Sequence, residues 1–271
     1  MKTKDEFSRE HLLYLKRRRN DKIFVNCARV ALIIIFLALW ELFYRLGAID
    51  GFIFSAPSKI FKSLVNLTKT GELFKHAGIT LFETVAGFAI ATSIGTLVAL
   101  ALWWNDRLRR ILDPYVVVLN SLPKIALGPV IIIWFGSGTK SIVVMTILIT
   151  VIVTTITMLS GFTATDKNKI FLLKSLGAKK PQILTKLVIP STLPTFISML
   201  KINIGLSWIG SIMGEYLVSR AGLGYLIVYG GQVFKLDLVY AATLTLCLLA
   251  TGMYALVSLI EKITVGKKQT S

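Results

Sequence analysis

The chain has 271 residues, of which 54% are hydrophobic and 17% charged, and its mean hydropathy is +0.70. Because the apolar residues come in runs of about twenty or more, they exclude an ordinary soluble domain and predict a polytopic helical membrane protein. The net charge of +17 comes from basic residues that lie between the apolar runs. This placement indicates topology and contact with anionic membrane lipids, and it excludes nucleic acid as a partner.

Candidate ligands for a metal ion and candidate partners for a disulfide are few. The cysteines, Cys27 and Cys247, lie in separate apolar runs, and the histidines, His11 and His76, are isolated. Neither a disulfide framework nor a metal site is expected, because no paired spacing occurs. The sequence also predicts no catalytic residue and no cofactor bound by this chain.

The apolar runs predict an all-α polytopic membrane bundle. A charged stretch precedes the first run, so we expect a basic arm over 1–23 followed by a retained membrane anchor rather than a cleaved signal peptide. The transmembrane domain is predicted over 24–261, with a short tail over 262–271. Its six predicted spans are 24–46, 78–103, 113–135, 139–161, 192–214 and 237–260.

The basic residues also predict the orientation of these spans. When Arg29, Arg45 and Lys140 are counted with the side at the nearer end of their spans, the side of the N-terminus holds 21 Lys and Arg and the other side holds 8. The remaining 2, Lys124 and Lys201, lie within spans. Since positive residues concentrate on the cytoplasmic side, both termini are predicted to be cytoplasmic. The outer connection after the first span is expected to hold a short interfacial helix entered through Pro57.

Two spans carry small residues at intervals of four. Gly87, Ala91, Gly95 and Ala99 share one face of the second span, and Gly210 begins a GxxxG pattern in the fifth. Such stripes let helices approach closely, either around a translocation path or in ordinary bundle packing.

The third predicted span is interrupted by proline. Pro123 and Pro129 divide it, and Lys124 lies beside the first. A helix broken near a cavity and a simple kink are both compatible with this pattern.

The connection between the fourth and fifth spans, 163–190, predicts a helical elbow. Thr165 or Asp166 would cap a short apolar helix, and Gly177 would end it in the left-handed conformation. A second helix would begin at Pro181 and close at Pro190. An apolar elbow in water predicts a docking surface for another protein. The alternative is that its apolar residues fold back on the bundle or enter the lipid headgroups.

The elbow resembles the cytoplasmic signature of the inner-membrane permease subunits of binding-protein-dependent ABC importers. That signature begins with Glu-Ala-Ala, continues to a glycine, and ends in Ile-x-Leu-Pro. Gly177, Leu187, Ile189 and Pro190 match it in register, whereas 171–173 reads Phe-Leu-Leu in place of Glu-Ala-Ala. Further stretches resemble the nitrate, sulfonate, taurine and bicarbonate branch of that family: Ser55-Ala56-Pro57-Ser58, Asp113-Pro114, Leu122-Pro123, Ile133-Trp134-Phe135-Gly136, Leu176-Gly177-Ala178, Leu193-Pro194, Gly214-Glu215 and Gly222-Leu223-Gly224-Tyr225.

The resemblance implies a permease subunit of an ATP-driven importer in a bacterial plasma membrane. Its implied partners are a cytoplasmic ATPase that binds ATP and Mg, an extracytoplasmic substrate-binding protein and a second permease copy. The implied solute is a small anion such as nitrate, a sulfonate or taurine, or a small vitamin precursor. Leu172, Leu173 and Leu176 would be buried anchors against the ATPase and Lys174 a charge at the rim. The full set implied to couple to the ATPase is Ile170, Phe171, Leu172, Leu173, Lys174, Leu176, Gly177 and Ala178.

Polar residues within the spans are candidates for the substrate pathway, because burying them unpaired is costly. These candidates are Glu83, Lys124, Ser207, Trp208 and Glu215. Glu215 is expected to order the outer gate or a contact with the substrate-binding protein. Alternatively, Glu83 pairs with Lys75 and Trp208 only packs. Lys201 is a further candidate for an anionic solute, or its side chain extends to the interface.

Two other functions compete with the importer hypothesis. An autonomous secondary transporter or channel would have no need of an apolar elbow, and would favour inverted repeats or a chain of intramembrane carboxylates, neither of which the sequence indicates. A membrane enzyme would need a nucleophile–base pair or a metal motif. The glycine-containing run at 136–141 lacks the Gly-Lys pair of a phosphate loop, so ATP hydrolysis is expected on another chain.

Overall fold

A computed structural model describes residues 9–264, and each secondary-structure element in that range is a helix. The chain divides into two compact units between Ser63 and Leu64. Parts of the predicted N-terminal arm (1–8) and tail (265–271) lie outside the described residues. The helices are α1 (Arg9–Arg45), α2 (Pro57–Lys69), α3 (Glu72–Trp104), α4 (Asp106–Ser121), α5 (Gly128–Phe135), α6 (Thr139–Thr163), α7 (Lys167–Ser175), α8 (Lys180–Ile183), α9 (Ile189–Val218), α10 (Leu223–Gln232) and α11 (Leu236–Thr264).

The helices confirm the predicted multi-span architecture. Within residues 9–264, five stretches are long and apolar enough to cross a membrane, and a bent pair of helices makes a sixth if it is counted as one span. The five stretches are Ile23–Arg45, Glu72–Trp104, Thr139–Thr163, Lys180–Val218 and Leu236–Ile263. In the first of these, the side chains of 23–39 are exposed, as expected for a helix that faces lipid.

The third predicted span is broken rather than simply kinked. Asp106–Ser121 and Lys124–Phe135 meet at an angle of 86°. Pro123 stands in the break, and a single 3-10 turn, Lys124–Leu127, leads into α5. Nζ of Lys124 donates to the carbonyl of Asn120 (3.0 Å), one of the carbonyls that a helix C-terminus leaves unpaired.

Two predicted helix boundaries are wrong. The second span begins at Glu72 rather than 78, so Glu83 lies about three turns into the helix instead of one. The helix that starts at Lys180 does not close at Pro190 but continues to Val218. A π-helical segment, Leu184–Val188, precedes this proline, and the N–H of Ile189 bonds back to the carbonyl of Leu184. The wider turn accommodates a residue that has no N–H to donate.

Helices α3, α6 and α9 pack closely through glycine. A Cβ added at Gly87 would lie 2.4 Å from Cγ2 of Thr146, and one at Gly210 would lie 2.6 Å from Cα of the same threonine. A Cβ at Gly95 would lie 2.8 Å from the carbonyl oxygen of Val151. The small-residue stripes therefore let backbones meet, which is how helices associate where lipid offers no hydrophobic driving force.

Hydroxyl and amide groups form a buried polar seam between these three helices. At one level, the hydroxyl of Thr84 donates to Ser211 (2.9 Å), whose oxygen lies 3.2 Å from that of Thr146. At another, Nδ2 of Asn203 donates to Thr92 (3.0 Å) and Thr154 (2.8 Å). Such bonds between helices add roughly 0.6 kcal/mol each on average in membranes, so the seam sets register as well as stability.

The glycine contacts predict a position-specific effect on stability. Gly95→Ala should destabilise the folded protein by about 1–3 kcal/mol, because the new methyl group meets a backbone carbonyl that cannot move without α6. Gly78→Ala is the matched control, since no atom lies within 4 Å of its added Cβ and alanine favours helix. Thermal unfolding of the detergent-solubilised protein measures both. Equal midpoints for the two variants would contradict the close packing of α3 on α6.

Candidate functional site

The elbow between α6 and α9 is built by local capping. The carboxylate of Asp166 accepts from the N–H of Asn168 (2.8 Å) and caps the start of α7. Gly177 has φ +78°, the left-handed conformation that ends the helix. Two reverse bonds close this end, from Gly177 to the carbonyl of Lys174 and from Ala178 to that of Leu173, each 2.9 Å. Together they form a Schellman motif, as the glycine predicts.

The apolar residues of the elbow separate into two faces. Ile170, Leu173 and Ala178 pack against a buried cluster at this end of the bundle. Phe171, Leu172 and Leu176 instead point outward, with 73%, 59% and 74% of their surfaces exposed. Leu173, expected beside Leu172 and Leu176 as an anchor for a partner, therefore lies on the face that holds the elbow to the bundle. The cluster consists of Ala99, Met158, Phe162, Ile183, Leu184, Val188 and Met199.

A contact that sequence reasoning missed joins the elbow to α3. The ammonium of Lys180 donates to the carbonyl of Trp104, the last residue of α3. The same Nζ lies 5.5 Å from the ring centroid of Trp103 and 5.3 Å from that of Trp104. The positive charge is attracted both to the negative end of the helix and to the faces of the indole rings. In the sequence, this contact is indicated only by the two adjacent tryptophans at the end of the second span.

At the opposite end of α3, three side chains hold the N-terminus of α10. The N–H of Gly222 donates to Nδ1 of His76 (2.9 Å), and that of Leu223 donates to Oγ1 of Thr80 (2.8 Å). The N–H of Gly224 donates to Oε2 of Glu215 (2.5 Å). Groups from α3 and α9 thus satisfy the N–H groups that the start of a helix leaves unpaired.

Only glycine fits at position 222. Its φ is +115°, and a Cβ there would lie 2.4 Å from Cδ of Glu215. The carboxyl of Glu215 also lies near the carboxyl of Glu83 and near Thr80. Both glutamates are 1% exposed, and in the described part of the chain Oε2 of Glu83 and Oε1 of Glu215 accept no hydrogen bond.

The five pathway candidates do not meet at one site. Glu83 lies beside Glu215 and Thr139 rather than Lys75. Ser207 faces Thr150 in the polar seam, with 3.4 Å between their oxygens, and Trp208 is buried in an apolar cluster with Ile204 and Val257.

The two intramembrane lysines have different surroundings. Lys124 lies at the break between α4 and α5, half-buried. Lys201 forms an ion pair with Glu261 at 2.5 Å. Within 9–264, no three His, Cys, Asp or Glu side chains are grouped so that they could hold a metal ion.

The long apolar helices and the broken span define a multi-pass membrane protein. Residues 91–264 match the family described as binding-protein-dependent transport system inner membrane component. The chain therefore belongs to this family, whose members are permease subunits of ABC importers.

Relatives with assigned names agree with the family. The formylaminopyrimidine transport permease protein of Halalkalibacterium halodurans is 31% identical over 84% of this chain and 90% of its own length. The putative aliphatic sulfonates transport permease protein of Bacillus subtilis is 24% identical over 84% and 83%. Among solved structures, an inward-facing methionine ABC transporter matches with a TM-score of 0.58 at 19% identity, covering 72% of this chain and 94% of that one, which shows the shared fold.

The contact between α3 and α10 predicts a local effect. Thr80→Val should speed amide hydrogen exchange at the start of α10, because a buried N–H left without an acceptor costs about 1–3 kcal/mol. Thr243→Val is the matched control, since that hydroxyl is exposed and bonds within its own helix to the carbonyl of Val239. Exchange measured by mass spectrometry over 223–232 tests both. Unchanged exchange in Thr80→Val would show that this hydroxyl does not hold α10.

Proposed function

We propose that this chain forms the membrane path of an ABC importer and couples it to a separate ATPase subunit through the outward face of α7. The observation that carries the proposal is the separation of the elbow into two apolar faces. One face is fixed to the bundle and the other, Phe171, Leu172 and Leu176, is presented to the surroundings. ATP and Mg would be bound, and ATP hydrolysed, by the partner.

The size and rim of this outward face suit a protein partner. Two large apolar side chains on α7 and a third from Leu176, the residue that follows it, give a compact patch of the kind that fills a pocket in a protein surface. Lys174 lies on the same helix and would stay at the rim, where its charge remains solvated. Because α7 is anchored by Ile170 and Leu173, a partner that moves the patch would also move the ends of the membrane helices beneath it.

The orientation follows from the same proposal. The elbow would lie in the cytoplasm of a bacterial cell, with both termini on that side, and α10 would lie near the outer face of the plasma membrane. An extracytoplasmic substrate-binding protein would then dock at the α10 end. Glu215 would order this end, since it accepts from the N–H of Gly224 and leaves no room for a side chain at position 222.

The solute path would run between two copies of this chain. Within one copy, α3, α6 and α9 are in close contact, and Ser207 and Trp208 are buried there. Lys124, at the break between α4 and α5, is then the candidate cation for an anionic solute, because Lys201 already pairs with Glu261. The relatives named for aliphatic sulfonates and formylaminopyrimidine support a small polar or anionic solute.

An autonomous transporter or channel explains the elbow less well. It would have no use for an outward apolar patch held on a rigid base, and that patch would favour burial in lipid headgroups. Lipid contact is therefore the alternative outcome for the same three side chains.

The two faces of α7 predict two different mutant phenotypes. Leu172→Ala should weaken binding of the cognate ATPase subunit about tenfold, because an exposed anchor is removed, and should leave the stability of the permease unchanged. Leu173→Ala should lower permease stability by about 2 kcal/mol, because it opens a cavity against the buried cluster. Binding is measured by titration of the ATPase onto permease in nanodiscs, and stability by thermal unfolding.

Each leucine is the control for the other, since the chemical change is identical and the positions are adjacent. Wild-type ATPase affinity in Leu172→Ala, Phe171→Ala and the double variant would exclude docking at this face. If those variants reduced only the affinity for anionic vesicles, the headgroup alternative would replace the proposal.

A further inference from the structure

The elbow is tied to α3 by a side chain as well as by packing. Lys180, at the start of α8, reaches across 76 positions of sequence to the carbonyl that ends α3, and its ammonium lies over both indole rings there. The last carbonyls of a helix have no partner within the helix, and the C-terminus carries partial negative charge. The ammonium of Lys180 donates to one of these carbonyls and places a positive charge beside the negative end of α3.

The same helix holds α10 at its other end. His76 and Thr80 accept from the N–H groups of Gly222 and Leu223, and these α3 residues lie about 40 Å from Trp104 along the helix axis at 1.5 Å per residue. Between these ends, α3 contacts α6 through Gly87 and Gly95. One helix of 33 residues therefore touches the elbow at one end and α10 at the other.

We infer that Lys180 is a positioning residue that fastens the elbow to α3, so that displacement of α7 is carried along α3 to the N-terminus of α10. This inference rests on the proposed docking of an ATPase at the elbow. The chain itself also transmits movement of the elbow to α6 and α9, the two helices that the elbow connects. Lys180 would add a second route, through α3. In this arrangement α3 links the ATPase side to the side where a substrate-binding protein would dock.

The chemistry of the contact suits a junction that moves as a unit. A lysine over two indoles is held by broad electrostatic attraction and tolerates small changes of angle, while its hydrogen bond fixes the distance to the helix end. The packing beside it supplies the stiffness, since Trp103 and Ala178 both lie against the buried cluster at this end of the bundle. Loss of Lys180 should therefore leave the elbow folded but loosen its hold on α3.

The test uses the full complex of permease and ATPase in nanodiscs, with ATP and vanadate as the probe that closes the ATPase pair. In the wild type, ATP-vanadate should change amide exchange over 223–232 by about fivefold or more, the scale of a typical coupling between distant sites. In Lys180→Met this response should disappear while the ATPase still binds with wild-type affinity. Lys180→Arg should restore it, because arginine keeps the cation, the donor and the stacking on indole.

Lys186→Met is the matched control, because it removes another exposed lysine from the segment that follows α8 and should respond like the wild type. Lys180→Gln provides a second neutral variant, and thermal unfolding checks that each variant is folded. A full response in Lys180→Met and Lys180→Gln, no response in the wild type, or loss of ATPase binding in the lysine variants would each overturn the inference. The first leaves the proposed docking at α7 intact, because docking is measured separately by the Leu172→Ala titration.

Discussion

The fold depends on the close approach of three helices that cannot be held together by the exclusion of water. In a bilayer, lipid tails solvate apolar side chains as well as other helices do, so contact must come from packing and hydrogen bonds. Glycines at 87, 95 and 210 bring α3 and α9 onto the backbone and threonines of α6. The hydroxyls at this contact then bond between helices, which fixes the register of all three.

Because the register of the three membrane helices is fixed, their ends form a defined surface on which the very short helix α7 can pack. The nine residues of α7 are too few to form a helix alone in water. The unfavourable free energy of forming the first turn exceeds what the few further hydrogen bonds of so short a helix contribute. Asp166 and Gly177 define its ends, and Ile170 and Leu173 hold it to the ends of the membrane helices. The remaining apolar side chains are then free to face a partner without contributing to the fold of the elbow.

Much of the architecture could be predicted from sequence, because its signals are local. Apolar runs predict the spans, Pro123 predicts a break or a kink, and Gly177 predicts the end of α7. The passage of the helix through Pro190 could not be predicted, since it depends on a π-helical segment that only the packed structure favours. The inward position of Leu173 was missed for a similar reason, because the four consecutive apolar residues 170–173 point to different sides of α7 and do not indicate which side faces the bundle.

The candidate site was least predictable where its contacts span the chain. Lys180 with Trp104, and Thr80 with Leu223, join residues 76 and 143 positions apart, and no pattern in either partner indicates the other. These contacts decide how the proposed function would work. The hydroxyls of the buried seam bond to one another within one copy, which accords with the proposed path between two copies. Opening the proposed path would require each copy to move largely as one body. The contacts of α3 with the elbow at one end and with α10 at the other would help to transmit such a movement.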